Sequence, residues 1–184
     1  RVISLMTGYE SEHTYSPKPS DLVAVRKAAL LFEVGAGLEV WVASLVKNAG
    51  NGSLRVVTTS KDIELIQDHP EPAGTSHSHE HAAGNPHVWL DPAAAATMVQ
   101  HISDAMAAAD PAHATDYRTN TATYLQALTR VQDESLARLR SLPSRAIIVH
   151  HPAWPYFARR YDLHIAGTIQ FLFGGDGAAR DLHT

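Results

Sequence analysis

The chain has 184 residues, 45% of them hydrophobic, and a formal net charge of −4, which allows one ordinary domain or two small lobes around a packed core. The acidic balance leaves no basic footprint for nucleic acid, and no apolar run approaches the ~20 residues a membrane helix needs. Cysteine is absent, while the twelve histidines nearly match the fifteen lysines and arginines; disulfides and thiolate metal sites are excluded, so any metal must be held by imidazole and carboxylate. The lack of thiols fits an exported protein, and a charged-then-apolar leader is not found, so an export signal is expected to lie outside this chain.

Taken in order, residues 2–6 (VISLM) read as a strand, followed by the polar loop TGYESEHTYSPKP that carries His13. Pro19 opens a helix with Asp21 in its first turn, where a carboxylate faces unpaired amides. An apolar strand follows near 30–34 and is broken by Gly35 and Gly37. A second helix over 38–50 sets Leu38, Trp41, Val42 and Leu45 on one face and stops at Gly50. Residues 54–58 form another strand. This alternation predicts an α/β fold with a parallel sheet.

Residues 61–86 are polar, rich in histidine and punctuated by glycine and proline, and read as one long loop. Asp91-Pro92 then caps and opens a helix that ends near Ala109. Asp110-Pro111 repeats the signal, and nothing breaks the helical pattern until about Leu142. A helix of about 30 residues spans about 45 Å, a strut between two lobes. Pro143 ends it. A buried strand over 145–149 runs into His150 and His151, a helix follows from Pro152 through Tyr161, and a strand occupies 164–169. The expected division is an N-terminal α/β lobe over 1–110 with a His-rich loop at 69–86, a connecting helix over 111–142, and the start of a second α/β lobe over 143–184 that reads as unfinished.

The segment HSHEHAAGNPHVWLDP, residues 77–92, carries the densest histidine tract. Imidazole is the commonest metal ligand and is largely unprotonated at neutral pH, so a His tract in a Gly/Pro-bounded loop reads as metal capture. The bland alternative for His77, His79 and His81, and for His69 beside them, is a solvated linker. His13 and His151 each follow an expected strand, where parallel α/β sheets bind ligands, and His87 precedes a capped helix. Only the fold could bring these three together. His101, His113, His164 and His183 lie outside any motif and read as surface or strand-end imidazoles; Asp91 reads as a helix cap, Trp89 and Trp154 as core or cleft aromatics.

Three segments carry a resemblance. GYESEHTYSPKPSDL is similar to the first ligand loop of the cluster A-I, or ZnuA-like, metal-binding proteins of ABC importers. NPHVWLDP resembles their second ligand segment almost letter for letter, and VHHPAWPYFARRYDLHIAGTIQ resembles the third. The order is conserved from about Val2 to Gln170, and the long helix matches the family's backbone helix. The resemblance implies two lobes of parallel sheet flanked by helices and joined by one rigid helix. It implies metal ligands at His13, His87 and His151; His150 stands where the family has no ligand, and reads as an alternate ligand or a support behind them at most. The family's fourth ligand, a late Asp or Glu, would fall beyond Thr184, and its first strand and helix before Arg1. Two departures stand out: Glu12 replaces a usual proline, and FLFGGDGAARDL replaces a Pro/Gly-rich segment.

The implied metal is Zn(II), because zinc members carry histidine at the third position where manganese members carry a carboxylate; Mn(II) is the lesser candidate. Three neutral imidazoles suit zinc, whereas manganese favours oxygen. The implied function is a periplasmic or membrane-anchored extracytoplasmic zinc receptor, not an enzyme, that delivers to an ABC importer permease. A monomer is expected, with a zinc metallochaperone as a further partner. The competing readings are a zinc hydrolase or hydratase, since three histidines and an open position also describe a catalytic site, and a zinc-buffering surface adhesin. The lack of an HExxH pattern weighs against the hydrolase.

Overall fold

The structure, a computed structural model, describes residues 1–67 and 84–169. Helix α1 (Pro19–Lys27) begins where expected: proline occupies the first turn, and the Asp21 carboxylate accepts the Lys18 amide at 2.7 Å. Strand β1 (Leu30–Glu33) and strand β2 (Arg55–Thr58) pair in parallel, with Leu30 opposite Arg55 and Glu33 opposite Thr58. Parallel strands need a crossover, which helix α2 (Val42–Ala49) supplies. Gly50 ends it in the left-handed conformation, φ 63°, as helix C-termini favour. Val25, Leu31, Val42, Leu45 and Ala49 form the core under this unit, with Leu5, Leu22, Trp41 and Leu54 packed against it.

Helix α3 (Pro92–Ala109) packs on both strands and on helix α4 (Ala114–Arg140), to which a 3-10 turn over Pro111–His113 joins it. The 27 residues of α4 span about 40 Å, close to the expected strut. A second parallel pair follows, β3 (Ala146–Val149) with β4 (His164–Thr168), irregular between Ile147 and Ile148. Helix α5 (Pro155–Tyr161) crosses between them. The α/β class with parallel sheets thus holds. Among the described residues no helix is long and apolar enough to cross a membrane.

Three boundaries differ from expectation. Residues 2–6 are not a strand. A strand exists only through its ladder, and among the described residues nothing pairs with them; Val2 and Ile3 are exposed and only Leu5 reaches the core. Helix α2 starts at Val42, because the chain from Gly35 turns through three left-handed residues, Gly35, Ala36 and Gly37. The Glu39 carboxylate then reaches back to accept the Val34 and Gly35 amides at 2.8 and 2.9 Å. Burial raises its pKa, and those amides offset that only in part. Leu38 is buried as expected, but in that turn. Helix α5 starts at Pro155, not Pro152, since a proline inside a helix begun three residues earlier would remove a backbone bond and clash with the preceding turn.

Gly35 is the tightest point of the β1–α2 turn. Its φ is +80°, and a Cβ there would meet Thr58 Cγ2 at 2.3 Å. Gly35→Ala therefore combines a disfavoured backbone with overpacking, and should cost about 2 kcal/mol. The check is the urea midpoint; a shift worth less than about 0.5 kcal/mol would show that the turn relaxes around the methyl.

Candidate metal centre

His13 sits in the loop before α1. With residues 2–6 unpaired, it does not follow a strand; side chains hold the loop instead. Trp41 Nε1 donates to the Glu12 carbonyl at 2.9 Å, and the Tyr15 ring packs edge-on against Trp41 with centroids 4.9 Å apart. The Tyr15 hydroxyl lies 2.7 Å from Asp21 Oδ2, whose hydrogen bond pushes the phenol up to about 12. The first turn of α1 thus anchors the residues around His13.

His87 is 3% exposed and stands immediately before a 3-10 turn over Val88–Leu90. Asp91 closes that turn and caps α3, its Oδ1 accepting the Ala93 amide at 2.9 Å; it is a cap, as expected. It is also an ion-pair partner, bound at both oxygens by Arg160 of α5 at 2.7 Å each. His151 lies two residues beyond β3, at the carboxyl end of a strand as expected. His150, its neighbour, is exposed.

These three histidines, 74 and 64 residues apart, meet. His87 Nε2 lies 3.3 Å from His13 Nε2 and 3.2 Å from His151 Nε2. Their ring centroids are 5.1 to 5.7 Å apart, and they form the group among the described residues that could hold a metal ion. Two nitrogens bound at about 2.0–2.1 Å to a tetrahedral cation lie about 3.3 Å apart. The two observed separations match that edge, so the site fits such a cation with little rearrangement. Glu12 brings Oε1 to 3.9 Å from His13 Nε2. The sequence drew attention to Glu12 only as a replaced proline; the structure puts its carboxylate beside the His13 imidazole.

Behind the triad lies a set of contacts that sequence reasoning missed. Asn85, 2% exposed, places Oδ1 2.9 Å from His87 Nδ1 and 3.1 Å from the His87 amide. Its Nδ2 donates to the Pro152 carbonyl at 2.8 Å. The fully buried Tyr156 of α5 donates to the Asn85 carbonyl at 2.7 Å and accepts the Ile66 amide at 2.9 Å. The Asn85 amide in turn donates to the Ile66 carbonyl at 2.8 Å. Asn-Pro favours a turn in which the Asn side chain accepts the amide two residues on, and that signal could have drawn attention to Asn85. Tyr156 has no local signal. His101 holds its ring against the Thr59 carbonyl at 2.9 Å, a structural contact outside any motif. His69, His77, His79, His81 and His183 lie outside the described residues.

Fold and site together define a class: an α/β chain whose parallel sheets and connecting loops present three imidazoles at one point. The model of one family, described as ZnuA, zinc-uptake complex component A periplasmic, matches residues 1–183. The chain belongs to this family. It is 27% identical over 199 residues to the high-affinity zinc uptake system protein ZnuA of Brucella abortus, covering 90% of this chain and 59% of that protein. It is 26% identical over 175 residues to the zinc-binding protein AdcA of Streptococcus pyogenes, covering 89% and 34%. Among solved structures, a crystal structure of ZnuA aligns with a TM-score of 0.81 at 30% identity, over 98% of this chain and 66% of that one. The metal-dependent lipoprotein YcdH of Bacillus subtilis aligns with a TM-score of 0.75 at 26% identity, over 96% and 62%. The chain spans about a third to three fifths of the length of these curated relatives.

Proposed function

We propose that this chain takes Zn(II) as cargo between His13, His87 and His151, as the metal-binding part of an extracytoplasmic receptor that passes zinc to the permease of an ABC importer. The observation that carries the reading is the pair of Nε2 separations, 3.3 and 3.2 Å. The donor set supports zinc over manganese, because neutral imidazoles suit zinc and oxygen donors suit manganese. The zinc-uptake and zinc-binding names of the relatives support the same cargo.

In this reading the lobes are residues 1–110 and 143–184, with 111–142 between them. His13 and His87 come from the first and His151 from the second, so zinc bridges the two. Capture and delivery require no covalent chemistry. Release requires the His151 side to separate from the other two ligands, a hinge or shear motion of small amplitude. His77, His79 and His81 form a weaker capture tract, because ordering a chelating loop costs ~1–2 kcal/mol per residue.

Calorimetric titration against a competing chelator tests this. One tight zinc site per chain is expected, with Mn(II) weaker by roughly two orders of magnitude or more. Equal affinity for the two metals, or no tight site, would overturn the reading. Within it, Glu12 is the carboxylate beside His13, 3.9 Å from its Nε2, and would have to swing toward His87 and His151 to complete the tetrahedron. Glu12→Gln should weaken zinc by about tenfold in the same competition, since a neutral amide is a poorer ligand than a carboxylate. An unchanged affinity would leave the fourth position to another group.

A further inference from the structure

We propose that Asn85 is the positioning residue of the metal centre: its one side chain sets the tautomer of His87 and ties that ring to the backbone leaving His151. The proposal rests on reading the triad as a zinc site. A carbonyl oxygen can only accept, so the group 2.8 Å from the Pro152 oxygen must be the amide nitrogen. A backbone N–H can only donate, so the group 3.1 Å from the His87 amide must be the amide oxygen. Two backbone partners thus fix the same orientation independently.

That orientation leaves one assignment for His87. Its Nδ1 faces Oδ1 at 2.9 Å, an atom that only accepts, so Nδ1 carries the proton. In the neutral ring Nε2 then carries the lone pair, and Nε2 is the atom that faces His13 and His151 at 3.3 and 3.2 Å. Metal-binding histidines depend on such a partner to hold ring and tautomer. Here the partner does a second thing. Pro152 follows His151 directly in the chain, so the Asn85 amide links the His87 ring to the loop carrying the third imidazole. Tyr156, clamped on the Asn85 carbonyl at 2.7 Å, holds the other side of the same residue. A ligand from before the long helix and a ligand from after it are therefore set by one asparagine.

The test uses the whole chain, and the first readout is the His87 tautomer in zinc-free protein, taken by long-range proton–nitrogen NMR at a pH where the imidazoles are neutral. Wild type should show the proton on Nδ1. Asn85→Asp keeps an acceptor there and should keep that tautomer, but it cannot donate to Pro152. Asn85→Ala removes both bonds, and should shift His87 toward the Nε2-protonated form and weaken zinc by about 10–100-fold. Asn85→Asp should recover part of that affinity. A wild-type His87 protonated on Nε2, or an Asn85→Ala protein that binds zinc as wild type does, overturns the proposal. If Asn85→Ala does not fold, judged by its melting transition, the tautomers of wild type and Asn85→Asp still decide it. His87→Ala serves as the separate control: a tight site that survives it defeats the zinc reading itself, while the zinc-free tautomer continues to judge Asn85.

Discussion

Replacing His87 with alanine is expected to remove the tight zinc site. His87 is the middle member of the triad, its Nε2 being the atom near both other Nε2 groups. Structural zinc sites contribute about 10–16 kcal/mol over four ligands, or roughly 3–4 kcal/mol for each. At 1.4 kcal/mol per decade, losing one ligand should weaken binding by about two to three orders of magnitude. The same chelator competition measures it, with His164→Ala as a control, because His164 is exposed at the start of β4. Zinc bound to His87→Ala as tightly as to wild type would move the principal site to the histidines between residues 69 and 81. The fold should survive, since the imidazole takes part in a site and not in the core beneath the first sheet.

Arg160→Ala should have the largest effect on stability among surface-reaching side chains. Arg160 donates through Nε and Nη2 to the two oxygens of Asp91 at 2.7 Å each, and that pairing raises its own pKa. The Asp91 side chain is 7% exposed, against 34% for Arg160. Removing the guanidinium leaves a buried carboxylate with only the Ala93 amide among these contacts. Breaking a fully buried pair costs about 3–5 kcal/mol; the partial exposure of Arg160 reduces this to about 2–3 kcal/mol. Arg160→Lys should recover little, because an ammonium cannot make the two-pronged contact. Urea unfolding at constant slope is the measurement, and a loss under about 0.5 kcal/mol would show that water replaces Arg160 at no net cost. Because the pair joins α5 to the cap of α3, zinc affinity should fall as well, though less than in His87→Ala.

The elements written in local chemistry could be read directly. Asp21 and Asp91 each accept a backbone amide at a helix start beside a proline, Gly50 turns left-handed at a helix end, and each stands where that chemistry put it. The parallel pairing followed from strand–helix alternation. Residues 2–6 misled because an apolar run reads alike in a strand and in an extended segment; only a neighbouring strand tells them apart. The helices after Gly37 and Pro152 began late because a left-handed turn closed by Glu39 occupies the residues before Val42, and Pro155 cannot sit inside a helix begun at Pro152. At the site, His13, His87 and His151 emerged from motif resemblance, and their convergence is a property of the fold. Asn85 bonds His87 locally, but its partner Pro152 and the partners of Tyr156 and Arg160 lie 67 to 90 residues away. No spacing rule reaches that far.

The pairing of Ile66 with Asn85 bears on how this chain can evolve. The Asn85 amide meets the Ile66 carbonyl at 2.8 Å, and Tyr156 bridges the same two residues. Whatever lies between residues 67 and 84 enters and leaves through this one neck, with its ends already together. Doubling the length of a segment between fixed ends costs only about 0.6 kcal/mol. On closure entropy alone, changes of length between these two positions are cheap, while the residues at the neck are not free to drift. Natural variants of this protein should therefore differ most in length and histidine number between these two positions, and least at the positions themselves.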